Sequence, residues 1–167
     1  LVQQMINLEA INMKMLRTKS VRPGFDVTDS WDYYVDDFIP MEGFNSMTSL
    51  SYVVWPDSLK GIGEGALAGT SLRGSLILPD GLKHIGRDAF CAYGKQATNL
   101  TGELYIPSSI EYIGDMAFGN YDGGARCFFN NELVLPSRMK YLGKGAFAGC
   151  PYLTGEIRIP EGLEVVY

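Results

Sequence analysis

Short runs of alternating apolar and polar residues recur along the chain, and each run ends at a proline. The alternating pairs are Val53/Trp55, Leu76/Leu78, Leu104/Ile106, Leu133/Leu135 and Ile157/Ile159. A period of two places both members of such a pair on one face of a β-strand. Proline ends the strand because it has no N–H group to give to a ladder. The pattern therefore predicts a short strand before each of these prolines.

A fixed frame of residues follows each proline. After Pro107 come Ile113, Gly114, Ala117 and Phe118, and nearly the same frame follows Pro56, Pro79 and Pro136. The apolar positions predict a second extended piece over 59–62, 82–85, 110–113 and 139–142. The glycine fits a backbone that needs positive φ or a close approach. The Ala-Phe segment predicts a single helical or 3₁₀ turn, since it is too short for a longer helix.

The prolines recur every 23 to 29 residues, which indicates stacked repeats. One repeat cannot bury its own apolar face, so neighbouring coils stabilise one another. Stacking should align Phe44, Leu67, Phe90, Phe118 and Phe147 into a mostly aromatic spine. We expect residues 1–167 to form a single repeat domain that is cut at both ends. Residues 17–37 are expected to form an acidic-aromatic insert within its first repeat.

The repeat frame resembles the BspA-like class of the leucine-rich repeat superfamily. The class pattern C-x-x-L-x-x-I-x-L-P-x-x-L-x-x-I-G-x-x-A-F-x-x-C is similar to LPSRMKYLGKGAFAGC, which starts at Leu135. The resemblance covers roughly residues 41–167. It implies a β-rich, right-handed solenoid with a parallel β-sheet on the concave face. Short strands, turns or 3₁₀ pieces are implied on the convex side.

This chain departs from the class pattern in the spacing before its strands. An extra residue, at Gly74, Gly102 and Gly155, gives several copies L-x-G-x-L in place of L-x-x-L. The extra residue is compatible with a solenoid fold, but the repeat pattern does not specify the curvature of the solenoid.

The same resemblance implies a function at the cell exterior. Repeats of this class occur on surface and secreted proteins of host-associated bacteria and in some parasitic protists, often with adhesive roles. We therefore expect a secreted or cell-surface module that binds a host or neighbouring-cell protein. Two alternatives stay open: a glycan-binding module that uses exposed aromatic residues, and a structural spacer that presents another domain.

Composition narrows the classes of partner. A net charge of −5 argues against nucleic acid, which favours basic stripes. No apolar run approaches the roughly 18 residues that span a bilayer. The sequence contains no recognised catalytic motif, so we expect no enzyme activity, no cofactor and no metal. Cys91, Cys127 and Cys150 are expected to be buried thiols, with a disulfide between adjacent coils as the alternative.

Exposed strand positions supply the first candidate binding surface, because solenoids bind through columns on stacked strands. One column is apolar in its middle and comprises Asn12, Val54, Ile77, Tyr105, Val134 and Arg158. The other comprises Ala10, Tyr52, Ser75, Glu103, Glu132 and Glu156. The apolar column predicts a protein-binding stripe. Strand propensity with cover from a neighbouring segment is the alternative explanation.

Three further features offer candidate sites. Two loop inserts in adjacent repeats bring Tyr93 and Tyr121 to one edge, and tolerated loop growth is the alternative explanation for these inserts. The aspartates of the 17–37 insert offer oxygen ligands to Ca²⁺ without the EF-hand spacing, and its Trp31 and Tyr34 offer rings to a sugar. The only histidine, His84, shares a repeat position with Gly61, Tyr112 and Tyr141 and is expected to be exposed.

Overall fold

A computed structural model describes residues 10–12, 37–92, 100–122, 127–155 and 159–165. These residues form ten short β-strands joined by turns. No helix among them could span a membrane. Apart from Asp37, the acidic-aromatic insert predicted at 17–37 lies outside the described residues.

The largest sheet is parallel and contains six strands, each from the second extended piece of a repeat. In spatial order these are β2 (Phe38–Ile39), β4 (Gly61–Ile62), β6 (His84–Ile85), β8 (Tyr112–Ile113), β9 (Tyr141–Leu142) and β10 (Glu164–Val165). Neighbouring strands pair in register, so Ile62, Ile85 and Ile113 form a buried column. The repeat frame read from the prolines therefore predicts the pairing of this sheet correctly.

The strands that precede the prolines form two separate parallel pairs. Strand β1 (Ala10–Asn12) pairs with β3 (Tyr52–Val54), and β5 (Leu76–Ile77) pairs with β7 (Leu104–Tyr105). Further along the chain, a single bridge joins Glu132 to Thr154. The parallel strands of the predicted β-rich repeat fold are present, but the ladder before the prolines is interrupted between β3 and β5.

Unequal spacing accounts for this interruption. Leu50 precedes Pro56 by six positions in the coil of β3, whereas Leu72 precedes Pro79 by seven positions in the coil of β5. The coil of β7 also has the longer spacing, and β5 and β7 pair. Coils of equal spacing stay in register up to the proline, and coils of unequal spacing fall out of register.

The Ala-Phe segments form hydrogen-bonded turns rather than the helical turns predicted from the sequence. Each turn donates a backbone N–H to the next coil, for example from Phe90 to the Ala117 carbonyl at 2.7 Å and from Phe118 to the Ala146 carbonyl at 2.8 Å. In five described copies, the residue two positions before the spine residue has positive φ: Glu42, Gly65, Asp88, Met116 and Gly145. A left-handed residue cannot continue a right-handed helix, so the helical prediction was wrong.

The glycine that follows each of the four central strands of the six-stranded sheet is required by close approach. A Cβ atom on Gly114 would lie 2.4 Å from the Arg87 nitrogen, and one on Gly143 would lie 2.2 Å from the Asp115 nitrogen. Neither glycine has positive φ. Of the two reasons predicted for this glycine, close packing of neighbouring coils is the one that applies.

The core contains the predicted spine. Phe118 is fully buried and stacks between Phe90, at a ring-centroid distance of 5.2 Å, and Phe147, at 5.3 Å. Phe129 packs edge-on against Phe118, at 6.3 Å. The aromatic stack stops at the aliphatic Leu67, which is also buried.

Candidate functional site

The predicted apolar stripe comes together in part on the strands before the prolines. Ile77 and Tyr105 are register partners across β5 and β7, and the two residues are 48% and 39% exposed. Val134 is 66% exposed on the following coil, whereas Val54 at the end of β3 is half-buried. Arg158 lies outside the described residues. The described stripe is therefore an exposed apolar row over at least β5 and β7.

Tyr105 is held in place on this row by the preceding coil. Its hydroxyl group donates to Asp80 Oδ1 at 3.1 Å. This hydrogen bond to an anion raises the pKa of Tyr105, so the ring stays neutral. A tethered, neutral ring presents its apolar face without losing much conformational freedom on binding.

The neighbouring column adds one more aromatic residue. Tyr52 is 61% exposed on β3, and Ser75, Glu103 and Glu132 are exposed at the positions predicted for them. The surface is therefore an apolar row beside a mainly polar row, which is the composition of many protein interfaces.

An open cleft of about 230 Å³ lies where the ladder breaks between β3 and β5. Its lining comes from both sides of the break and comprises Ser51, Tyr52, Val53, Val54, Trp55, Leu72, Arg73, Ser75, Leu76, Ile77 and Leu100. Arg73 is exposed and is the only charged residue among the described residues that line the cleft. Two residues of the predicted stripe, Val54 and Ile77, face the same cleft.

A second break, after β7, is closed by a side chain. The Leu104 N–H donates to Asn131 Oδ1 at 2.9 Å, and Asn131 Nδ2 donates to the Leu104 carbonyl at 3.0 Å. The Asn131 amide thus takes the place of a backbone amide in the ladder. Both polar groups of Leu104 that face the next coil are satisfied in this way.

The loop residue Tyr121 is fixed by a contact with a neighbouring coil. Its hydroxyl lies 2.9 and 3.1 Å from the two carboxylate oxygens of Asp88, and Arg87 Nε lies 3.4 Å from the same carboxylate. Burial raises the pKa of Asp88, and the contacts with Tyr121 and Arg87 oppose that shift. Tyr121 is therefore tied to Asp88, while the residue stays 52% exposed. Tyr93, its predicted neighbour, lies outside the described residues.

His84 is buried, so the prediction that it is exposed was wrong. It stacks on Tyr112 at a ring-centroid distance of 4.2 Å, and Tyr112 stacks on Tyr141 at 4.4 Å. On its other side, Phe38 reaches over Gly61 and lies 6.3 Å from His84. Burial lowers the pKa of His84 to about 3, and the ring is neutral near pH 7. Gly61 occupies the equivalent position in the preceding coil, and its lack of a side chain leaves room for Phe38 to cover the His84 ring.

The cysteines are present as thiols rather than disulfides. Cys91 and Cys127 are buried, and Cys150 is half-buried. The Sγ atoms of Cys127 and Cys150 lie 3.3 and 3.6 Å from the Phe118 carbonyl oxygen, to which they donate. Burial raises the pKa of Cys91 to about 12, which suppresses its reactive thiolate form. No group of three or more metal-ligating side chains occurs in the part of the chain that the structure describes.

Sequence reasoning missed Arg73, the cleft beside it and the bridging role of Asn131. A signal was present in the uneven spacing between the leucine and the proline of successive coils. Its consequence depends on which coils stack side by side, and the spacing of a single repeat does not show that.

A comparison with protein families found a match to a repeat family. The model of the BspA-type leucine-rich repeat region matches residues 37–167 in six copies. A search of curated proteins found no match, and a search of solved structures found none either.

Proposed function

Because the chain belongs to the BspA-type leucine-rich repeat family, we propose that it is a secreted or cell-surface protein-binding module of a host-associated bacterium. Its role would be adhesion to a protein of a host or of a neighbouring cell. Proteins of this family typically act as non-enzymatic interaction scaffolds, so we propose no catalytic role.

The exposed apolar row on β5 and β7 is the observation that supports this proposal most strongly. Ile77 and Tyr105 on these strands, and Val134 on the following coil, are each more than a third exposed, although the chain has a large buried core. Rows of exposed apolar residues rimmed by polar ones mark protein-interaction surfaces. Tyr105 is also pre-positioned by Asp80, which lowers the entropy lost on binding.

Binding to a panel of extracellular-matrix proteins and host glycans tests the proposal. The test variant carries Tyr105→Ser and Val134→Ser together, which removes two exposed apolar groups of the row. The matched control carries Met41→Ser and Tyr152→Ser, since these residues are 49% and 56% exposed elsewhere on the surface. We expect saturable binding to a protein, lost or weakened at least about tenfold in the test variant and kept in the control.

The same panel separates the alternatives. Binding to a glycan but to no protein would support the glycan-binding module, whose candidate rings Trp31 and Tyr34 lie outside the described residues. Absence of binding to every member would favour the structural spacer. Equal affinity of the test and control variants for a protein partner would remove the apolar row as the binding surface.

A further inference from the structure

We infer that the break between β3 and β5 is a docking site for an extended, acidic peptide segment of a partner protein. The inference rests on the proposed protein-binding function and specifies how a partner is recognised. It follows from the unpaired edges of the two strands, from the side-chain amide that fills the second break, and from Arg73.

The strand edges on either side of the break face each other without pairing. Leu76 and Leu78 donate their N–H groups to Glu103 and Tyr105 of the β7 coil. Since successive residues of a strand point their backbone groups in opposite directions, the N–H and C=O of Ile77 are directed toward β3. No ladder joins β5 to β3 in the part of the chain that the structure describes.

The β3 edge shows the complementary arrangement. The Ser51 carbonyl accepts from the Arg73 N–H at 3.3 Å, so the backbone of Ser51 faces the coil of β5. Two residues further along, Val53 has the same orientation by alternation. The cleft between Val53 and Ile77 is therefore bounded by strand edges that offer backbone donors and acceptors, which is the arrangement that extended peptides bind by strand addition.

The protein itself shows which chemical group fits such a break. After β7, the Asn131 amide supplies one acceptor and one donor to the backbone of Leu104. A bound peptide would offer its backbone N–H and C=O to the backbone of Ile77, as the Asn131 amide offers its donor and acceptor to the backbone of Leu104. The cleft differs from the second break because an open space of about 230 Å³ remains between its two strand edges.

Size and charge define the ligand further. At about 230 Å³ the cleft is smaller than typical cofactor sites, which occupy about 300–1,000 Å³, and it suits a few residues of extended chain. Arg73 is exposed at its edge and forms no ion pair with a described residue. A guanidinium group in this position favours a carboxylate on the ligand, with bidentate hydrogen bonds.

Nuclear magnetic resonance titration with synthetic peptides tests this inference. The probe is an acetylated, amidated peptide of sequence Thr-Val-Asp-Val-Thr. One comparison peptide replaces its aspartate by lysine, and another carries a methyl group on every backbone nitrogen. The protein variant is Arg73→Glu, and Arg138→Glu is the matched control because Arg138 is an exposed arginine outside the cleft.

We expect the acidic peptide to shift the amide signals of Ile77 and Val53 saturably. The lysine peptide should bind at least about tenfold more weakly, because it cannot form the ion pair with Arg73. The N-methylated peptide should be weakened by a similar factor, because it has no backbone N–H donors. Arg73→Glu should weaken binding of the acidic peptide and favour the lysine peptide, while Arg138→Glu should change neither.

The inference would be overturned if no peptide shifted Ile77 at millimolar concentration, or if acidic and basic peptides bound equally well. It would also be overturned if binding shifted signals only outside the cleft. These results are separable from the test of the proposed function, because Tyr105 and Val134 do not line the cleft. If Tyr105→Ser with Val134→Ser abolished binding of a protein partner, but no peptide bound to the cleft, the proposed function would stand. Only the inference about the cleft would then be rejected.

Discussion

At the scale of single residues, the left-handed turn positions show where the sequence is under strain. Glu42, Asp88 and Met116 have φ between 52° and 55°, at a repeat position that glycine fills in Gly65 and Gly145. A non-glycine residue in this region is disfavoured by about 1–2 kcal/mol. Neighbouring coils hold these residues in place, since the Glu42 N–H donates to the Glu64 carbonyl at 2.8 Å.

Glu42→Gly should therefore stabilise the protein. The left-handed strain is relieved, and the greater freedom of glycine in the unfolded chain offsets part of the gain, which leaves about 0.5–1 kcal/mol. Chemical denaturation measures the change in the free energy of unfolding. Glu42→Ala is the control, because it removes the same exposed side chain without relieving the backbone. Equal effects of the two substitutions would show that the φ angle is not the cause.

The buried His84 should make stability dependent on pH. Its pKa is about 3 in the folded protein and about 6.5 in the unfolded chain, so the unfolded state binds more protons between these values. Stability is then complete above about pH 6.5 and is lost as the pH falls toward 3, at up to about 1.4 kcal/mol per pH unit.

His84→Phe should flatten this dependence between pH 6.5 and pH 5, where carboxylates contribute little. Phenylalanine keeps a ring between Phe38 and Tyr112, so the stack is retained. Melting temperatures of the two proteins across this range are the measurement. Parallel curves for the two proteins would mean that His84 is protonated in the folded state or is solvated there.

At the scale of elements, the aromatic spine ties three coils together. Phe118 is fully buried between Phe90 and Phe147, with Phe129 against its edge. Phe118→Ala should lower the free energy of unfolding by roughly 3–5 kcal/mol. Phe118→Leu should lose about 1–2 kcal/mol, because Leu67 fills the equivalent position of another coil and is buried there. A denaturation midpoint unchanged by Phe118→Ala would rule out the spine.

The bridge made by Asn131 is a second element-scale test. Asn131→Ala leaves the N–H and C=O of Leu104 without their partner, which should destabilise the protein by about 1–3 kcal/mol. Hydrogen exchange at the Leu104 amide should become faster, and the Leu76 amide, bonded to Glu103, serves as the internal reference. An unchanged Leu104 exchange rate would show that the amide does not replace the ladder.

At the scale of the whole molecule, the sequence predicts the stacking frame well. The positions of Ile62, Ile85 and Ile113 relative to their prolines are sufficient to place them in one register. The sequence also marked Gly114 as a backbone position that needs glycine, and it left positive φ and close approach open as the reason. The structure shows the close approach at Gly63, Gly86, Gly114 and Gly143. Such features are local or strictly periodic, so one sequence contains the necessary information.

Features that depend on how unlike coils meet could not be predicted. Burial of His84 arises because Gly61 in the preceding coil leaves room for Phe38, which a ladder of equivalent positions does not reveal. The cleft arises because a six-residue and a seven-residue spacing meet at β3 and β5. The sequence therefore identified Ile77, Tyr105 and Val134 as exposed residues of the candidate surface. It did not identify Arg73.

The interruption of the ladder between β3 and β5 is the central claim, since the cleft depends on it. Amide hydrogen exchange at three successive residues of one strand tests it most directly. Leu76 and Leu78 donate to the β7 coil. By strand alternation the N–H of Ile77, which lines the cleft, is directed to the opposite side, toward β3. We predict slow exchange at Leu76 and Leu78 and fast exchange at Ile77. Protection of Ile77 equal to that of its two neighbours would mean that the ladder continues into β3, and would contradict the claim.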